Sequence, residues 1–173
     1  MTGALLLGGA SRRFGSPKAL ARFEGELLAE RAHRVLSEAF ETVLAVGKAA
    51  DDLPLPFPVH DDGSEVRAPI VGVAAALRLM EDDIAVCLPT DMPFVSATFL
   101  RELGEAARQV DVAVPPSGPL PGAYHRSALP VLERQIAAGD LALRDAIRGL
   151  RVSVIAANEQ ELRNVNTVDD LVA

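Results

Sequence analysis

The sequence is poor in cysteine, in aromatic residues and in long hydrophobic runs. It has one cysteine, Cys87, no tryptophan, and an aromatic content of 4%. A single cysteine cannot form an internal disulfide, and its apolar neighbours predict a buried, small hydrophobic residue. The longest apolar stretch, residues 70–77, is far shorter than the roughly 20 residues that span a membrane. The apolar start at residues 1–7 lacks the basic flank of a signal peptide, so we expect a cytoplasmic protein.

Acidic residues outnumber basic residues, and this balance limits the partners. The chain has 24 acidic and 17 basic residues, a formal net charge of −7 and a pI near 4.9. Such a chain does not attract polyanions diffusely, so we expect neither nucleic-acid nor membrane-surface binding. Its 173 residues are 49% hydrophobic and show no repeat or low-complexity linker. We therefore expect one domain over residues 1–173 with a substantial core.

Strand-like and helix-like hydrophobic patterns alternate along the chain. Short buried runs predict strands at 4–7, 42–46, 84–88, 110–114 and 152–155, with an extended piece at Val59. Helical spacing predicts helices at 27–40, 70–80, 97–108, 128–138 and 141–148, and a proline-rich loop at 115–121. This alternation predicts an α/β fold with three α/β/α layers around a mostly parallel sheet. Such sheets bind ligands beyond the carboxyl ends of their strands.

A basic, glycine-rich loop follows the first predicted strand. It contains Gly8, Gly9, Arg12, Arg13, Gly15 and Lys18. Glycines let backbone N–H groups approach an anion closely, so the loop predicts phosphate binding. It matches neither the Walker A nor the dinucleotide-binding pattern, and the alternative is an ordinary turn with solvated arginines. Lys18 stands out because the chain otherwise uses lysine only at position 48, and a compact ammonium suits a point contact to a phosphate oxygen.

Aspartates follow two other strand-like segments. Asp91 comes directly after a buried strand, where a carboxylate is well placed to bind Mg²⁺ together with substrate phosphates. The alternative is a turn-forming aspartate before Met92-Pro93. Asp61 and Asp62 end the extended piece near Val59, and they either contact a nucleotide or metal or simply cap a loop.

The histidines give no support for nucleophilic catalysis. His60 and His125 have no metal-ligand spacing with each other or with Cys87. His33 lies in a predicted helix and is interpreted as structural or solvated. No Ser-His-Asp or Cys-His arrangement can be argued from the sequence.

Two amides, Asn164 and Asn166, lie near the end of the sequence. In one interpretation, Asn166 or Thr167 caps a last helix at residues 168–172. In the other, the two amides contact a ligand.

Four blocks of residues occur in a recognisable order. They are Leu6-Leu7-Gly8-Gly9 with Arg13-Phe14-Gly15 and Lys18-Ala19-Leu20, then Pro69-Ile70-Val71-Gly72, then Pro89-Thr90-Asp91-Met92-Pro93-Phe94, and Asn164-Val165-Asn166-Thr167. This ordered set resembles the L-x-G-G-x-S-x-R-M-G-x-x-K-A-L, G-P-L-A-G, D-M-P-F and N-x-N-T motifs of MobA-like nucleotidyltransferases. The resemblance implies a Rossmann-like nucleotidyltransferase fold.

The resemblance also implies which residues bind the nucleotide. The backbone of Leu6, Leu7, Gly8 and Gly9 would lie against it, and Lys18 would contact its phosphates.

Further roles follow from the same resemblance. Asp91 would bind Mg²⁺ and touch the nucleotide, and Arg13 would join Lys18 and Asp91 as catalytic residues. Asp61 would be another nucleotide contact, because it precedes Pro69 by the spacing that the family uses. Asn164 and Asn166 would face the pterin or base side of the pocket.

The implied reaction is Mg²⁺-dependent transfer of GMP from GTP to the terminal phosphate of molybdopterin, with release of pyrophosphate. Transient contact with molybdoenzyme maturation proteins is a further expectation. The pair Gly8-Gly9 favours the guanylyl branch over the cytidylyl branch. The alternatives are transfer from CTP or to another phosphorylated acceptor, and a non-catalytic nucleotide-binding module.

The chain departs from the family pattern at several positions. Ala68 replaces a glycine, Val71 and Leu7 replace alanines, Val168 replaces a proline, and Gly47 stands where some relatives have asparagine. The change at Gly47 bears on base choice and not on the type of reaction.

Overall fold

A computed structural model describes residues 1–8, 17–167 and 170, and a seven-stranded sheet forms its centre. The strands are β1 (Thr2–Leu6), β2 (Arg22–Phe23), β3 (Glu26–Leu27), β4 (Thr42–Gly47), β5 (Val59–Asp61), β6 (Ile84–Pro89), β7 (Val112–Val114), β8 (Gly122–His125) and β9 (Val152–Val154). The sheet order is β5-β4-β1-β6-β8-β7-β9, and β2 pairs separately with β3. Every strand in the sheet except β8 runs in the same direction.

Helices cover both faces of this sheet. They are α1 (Leu28–Ala39), α2 (Pro69–Leu79), α3 (Ala97–Ala106), α4 (Leu129–Ala137) and α5 (Leu143–Ala146). The sheet has a hydrophobic core on each face, and alternate residues of β1 belong to different cores. Ala4 and Leu6 pack with α2, α4 and α5, whereas Leu5 packs with α1 and α3. The predicted three-layer α/β/α fold is confirmed. None of the helices in the described ranges is both long and apolar enough to cross a membrane.

The predicted elements are present with ends shifted by at most two residues, and Cys87 is fully buried as expected. Burial raises the pKa of its thiol, which is therefore inert. The predicted last helix at 168–172 falls largely outside the described residues.

Strand β8 was not predicted, because its sequence Gly-Ala-Tyr-His contains no β-branched residue and directly follows the prolines. Gly122 is required there, since a Cβ at this position would lie 2.4 Å from the carbonyl oxygen of Pro119. The hydroxyl of Tyr124 donates to that same oxygen at 2.6 Å. These contacts fix the proline loop against the start of β8, which pairs antiparallel with β6.

A polar cluster connects the ends of β7, β8 and β9 near the β9 edge of the sheet. The buried carboxylate of Asp111 accepts two hydrogen bonds from the Arg151 guanidinium, at 3.0 and 3.1 Å, and one from the Ser127 hydroxyl at 2.6 Å. His125 also contacts Ser127, at 2.9 Å. This grouping is not a catalytic triad, because Ser127 donates its hydroxyl hydrogen to Asp111 and Asp111 is paired with arginine.

We expect Asp111→Asn to lower the free energy of unfolding at pH 7 by about 2 kcal/mol. The expected loss is smaller than for a fully buried ion pair, because solvent screens the exposed Arg151. Hydrogen bonds from Arg151 and Ser127 depress the pKa of Asp111 in the folded protein. Its stabilisation is therefore fully present above the unfolded pKa of about 3.9 and is lost as the pH falls below it. Urea unfolding at pH 7 and pH 3 tests this. Equal losses of stability on acidification in wild type and variant would contradict it.

Candidate active site

The carboxyl ends of β1, β4, β5 and β6 meet at one edge of the sheet. The chain passes from β1 to β4 and β5 on one side, and then crosses to β6 on the other side. The strand order therefore reverses between β1 and β6, and in open α/β sheets such a reversal leaves a crevice for ligands. Leu7 and Gly8 follow β1, and Asp91 follows β6, so the described start of the glycine-rich segment and the aspartate motif border this crevice.

Three predicted site residues that are distant in sequence meet at the crevice. The Lys18 ammonium donates to Oδ2 of Asp91 at 3.2 Å and to Oδ1 of Asn166 at 3.4 Å. Their side chains are accessible: Lys18 is 16% exposed and Asp91 is 26% exposed. A cation and an anion beside an amide can bind a phosphate, a metal ion and a polar ligand group respectively.

Local backbone structure positions these three groups. Lys18 begins a short 3₁₀ turn, Lys18–Leu20, which is anchored by the buried side chain of Ala19. The backbone N–H of Val165 donates to the carbonyl oxygen of Asp91 at 2.8 Å, and the Val165 side chain is completely buried. The segment containing Asn166 is therefore attached directly to the loop that carries Asp91.

A stack of aromatic rings and guanidinium groups supports the loop after Asp91. Phe94 packs edge-to-face on Phe23 with ring centroids 5.3 Å apart, and Arg163 lies over Phe94 at 4.8 Å. Arg31 lies over Phe23 at 5.1 Å and donates from Nε to the carbonyl oxygen of Pro93 at 2.9 Å. Arg31 and Arg163 were not predicted as site residues, because cations on distant segments leave no local sequence pattern.

The first predicted nucleotide-binding segment is only partly described. Leu6 and Leu7 are buried and Gly8 is exposed at the end of β1, whereas Gly9 and the predicted catalytic Arg13 lie outside the described residues. The N–H of Leu7 already donates to the Val46 carbonyl at 2.9 Å. A nucleotide contact through the backbone of Leu7 would therefore use its carbonyl oxygen.

Two departures from the family motifs have structural explanations. Ala68 precedes α2 in an extended conformation, with φ −148° and ψ 146°, which does not require glycine. Gly47 is tightly enclosed, because a Cβ there would lie 3.1 Å from the Cβ of Leu7 and 3.4 Å from Val59. A side chain at position 47 would require Leu7 to shift by a few tenths of an ångström, whereas the distance to Val59 is an ordinary contact.

The structure separates the neighbouring aspartates Asp61 and Asp62. Asp61 is exposed, and its carboxylate accepts hydrogen bonds from the N–H groups of Ala49 and Gly63, each at 2.7 Å. These bonds lower its pKa, so the group is ionised at neutral pH. Asp62 is buried and forms an ion pair at 2.8 Å with Lys48, a residue to which the sequence alone assigned no role. Of the two aspartates, Asp61 is the one open to a ligand.

Asp61 lies at a distance from the Lys18–Asp91 pair. Its strand, β5, is three places from β6 in the sheet, which corresponds to about 14 Å at the usual strand spacing. The sheet edge thus has an anionic position at one end and a mixed-charge cluster at the other. That separation is comparable with the length of a nucleoside triphosphate.

Asp91 suits a metal that arrives with its substrate. Within the described parts of the chain, no three His, Cys, Asp or Glu side chains form a group that could enclose a metal ion. Mg²⁺ commonly binds through one or two carboxylates and completes its coordination with water and substrate phosphates. A single, partly exposed carboxylate beside the Lys18 ammonium fits this mode of binding.

The comparisons with known proteins agree with one another. The model of the MobA-like NTP transferase domain matches residues 3–159. The chain is 32% identical to a probable molybdenum cofactor guanylyltransferase from Chloroflexus aggregans, over 99% of this chain and 91% of that protein. It is also 32% identical to one from Bacillus subtilis, over 96% and 90%. It superimposes on molybdopterin-guanine dinucleotide biosynthesis protein A from Archaeoglobus fulgidus with a TM-score of 0.86 and 27% identity, covering 99% and 95%.

Proposed function

Because the chain belongs to the MobA-like NTP transferase family, we propose that this nucleotidyltransferase transfers GMP from GTP to the terminal phosphate of molybdopterin. The observation that supports the proposal most strongly is the contact of Lys18 with Asp91 and Asn166. Three of the family's motifs supply these residues, and they converge at the ligand-binding edge of the sheet. A convergence of this kind favours chemistry over simple nucleotide binding.

The chemistry makes few demands on the protein as an acid or base. An oxygen of the acceptor's terminal phosphate forms a bond to the α-phosphorus of GTP, and the bond from that phosphorus to the pyrophosphate oxygen breaks. A phosphate monoester has a second pKa of about 6, so the nucleophile is already largely a dianion at neutral pH. The difficulty is to bring two anions together, and positioning and electrostatic stabilisation meet it.

Each proposed residue contributes to that positioning. Lys18 would contact a phosphate oxygen. Asp91 would hold the divalent cation that nucleotidyltransferases of this kind usually use, and we propose that this cation is Mg²⁺. Bound there, the cation would offset negative charge on the phosphates and on the departing pyrophosphate. Arg13 would add positive charge. The nucleotide would lie along the backbone of Leu6, Leu7, Gly8 and Gly9. The acceptor would face Asn164 and Asn166.

The position of Asp61 favours guanine. A carboxylate is an acceptor of hydrogen bonds, and guanine presents two adjacent donors, N1–H and the N2 amino group. Each carboxylate oxygen has two lone pairs, so the bonds from Ala49 and Gly63 leave capacity for the base. Cytosine offers only one donor group beside an acceptor, and we therefore propose GTP as the donor nucleotide.

The function is tested by pyrophosphate release from the purified protein with Mg²⁺, molybdopterin and either GTP or CTP. We expect turnover that requires both GTP and the acceptor. We also expect GTP near 100 times its Kd to raise the melting temperature by about 8 °C, since only the native state binds it. Larger stabilisation and faster turnover with CTP would contradict the choice of base, and binding without pyrophosphate release would favour the non-catalytic module. Contact with molybdoenzyme maturation proteins stays a prediction.

A further inference from the structure

Lys48 lies immediately after β4 and is buried, with 8% of its surface exposed. Its ammonium donates to Oδ1 of Asp62 at 2.8 Å, to the Ser64 carbonyl at 2.5 Å and to the Val66 carbonyl at 2.6 Å. An ammonium has three N–H donors, and these three acceptors use all of them. Lys48 therefore acts on the protein and not directly on a ligand.

The three acceptors alternate along one irregular segment, residues 61–67, which we call the base loop. This segment connects the end of β5 to the start of α2, and it has no regular secondary structure after Asp61. Asp62 adds a bond from its carboxylate to the Ser64 N–H at 3.0 Å. The buried ion pair thus supplies this loop with the hydrogen bonds that regular secondary structure would otherwise supply. Removing only one partner of the pair leaves an uncompensated buried charge.

The same ion pair flanks the two groups that orient Asp61. One of them, Ala49, follows Lys48 in sequence, and the other, Gly63, follows Asp62. A change in the Lys48–Asp62 contact would displace both N–H donors and with them the Asp61 carboxylate. Beside this carboxylate is a cavity of about 330 Å³, lined by Lys48, Ala50, Asp61, Gly63, Ser64, Glu65 and Arg67.

We propose that Lys48 is a positioning residue that sets base specificity, because it fixes the base loop and so aims Asp61 at guanine. The inference rests on the proposed function, in which Asp61 contacts the nucleotide. It assigns the second of the two lysines a role distinct from that of Lys18. Lys18 would act on phosphate, whereas Lys48 would act through the loop on recognition of the base.

The test compares wild type with Lys48→Met in steady-state assays with GTP and CTP. We expect the KM for GTP to rise about tenfold, which corresponds to the loss of roughly one well-made hydrogen bond to the base. The ratio of kcat/KM for GTP to that for CTP should fall by a similar factor, while kcat at saturating GTP stays within about twofold. Arg78→Met is the matched control, because it removes an exposed cation of α2 that is paired with Glu133 of α4.

A purely structural role gives a different result. Partial unfolding would lower the active fraction and hence kcat, but it would leave the KM and the GTP-to-CTP ratio unchanged, and that outcome overturns the proposal.

The double variant Lys48→Met/Asp62→Leu covers the case in which Lys48→Met does not fold. It replaces the buried ion pair with apolar side chains, an exchange that proteins often tolerate. We expect it to show the same change in KM and in the GTP-to-CTP ratio, and wild-type values in this folded variant overturn the proposal. If wild type itself does not turn over GTP, the proposed function fails and the role of Lys48 with it. If wild type uses GTP and the variants match it, only the role of Lys48 fails.

Discussion

Asp91→Asn is expected to lower kcat by about a thousandfold while leaving the melting temperature within about 2 °C of the wild-type value. The substitution keeps the size of the side chain and removes the charge that would hold Mg²⁺ at the end of β6. A thousandfold loss corresponds to about 4 kcal/mol of transition-state stabilisation, which is the scale expected for metal-assisted phosphate chemistry. Stability changes little because the Lys18–Asp91 pair is partly exposed and such pairs contribute about 0.5 kcal/mol.

The matched control is Asp83→Asn, at the opposite end of the same strand. Asp83 immediately precedes β6, and its side chain is 82% exposed. The same chemical change there should leave kcat and the KM for GTP at wild-type values. A titration with Mg²⁺ distinguishes loss of a metal ligand from other causes of a lower kcat in Asp91→Asn. Loss of a metal ligand raises the Mg²⁺ concentration needed for half-maximal activity. Wild-type kcat in Asp91→Asn would contradict the assigned role.

The fold was predictable to the extent that hydrophobic periodicity reports burial. Strands β1, β4 and β6 are continuous apolar runs because helices cover both of their faces, and the sequence of each shows this directly. Strand β8 was not predictable in this way, because its position depends on the contacts of Gly122 and Tyr124 with Pro119. Neither contact leaves a local hydrophobic pattern. The hairpin of β2 and β3 was missed because each strand has only two residues, although Gly25 with its positive φ of 85° marks the turn.

The candidate site was predictable where motifs carry the information. Lys18, Asp91 and Asn166 were chosen from three separate motifs, and they form one hydrogen-bonded cluster. Lys48 was noticed only as a rare lysine, because its acceptors lie 14 to 18 residues away and two of them are backbone carbonyls. A backbone carbonyl has no sequence signature, so no spacing rule could have revealed that contact.

The second large effect is expected for Lys18→Met, which should lower kcat by about a hundredfold with a smaller change in the KM for GTP. Methionine preserves most of the apolar stem, so the variant isolates the contribution of the ammonium to charge stabilisation in the transition state. Lys18→Arg should recover only part of the loss, because a planar guanidinium does not place its donors where a compact ammonium does. Arg108→Met removes an exposed cation paired with Glu105 and serves as the control with wild-type kinetics.

A double-mutant cycle with Lys18→Met and Asp91→Asn tests whether the two residues act on the same phosphates. They are in direct contact at 3.2 Å, and residues that share one transition state contribute in a strongly non-additive way. Independent action predicts a combined loss of about 10⁵-fold, whereas shared action predicts a loss close to that of Asp91→Asn alone, about 10³-fold. We expect the smaller loss, because without the metal ligand the phosphates are no longer positioned for Lys18 to stabilise. A fully additive loss would show that Lys18 works independently of Asp91 and would contradict a single site built around their contact.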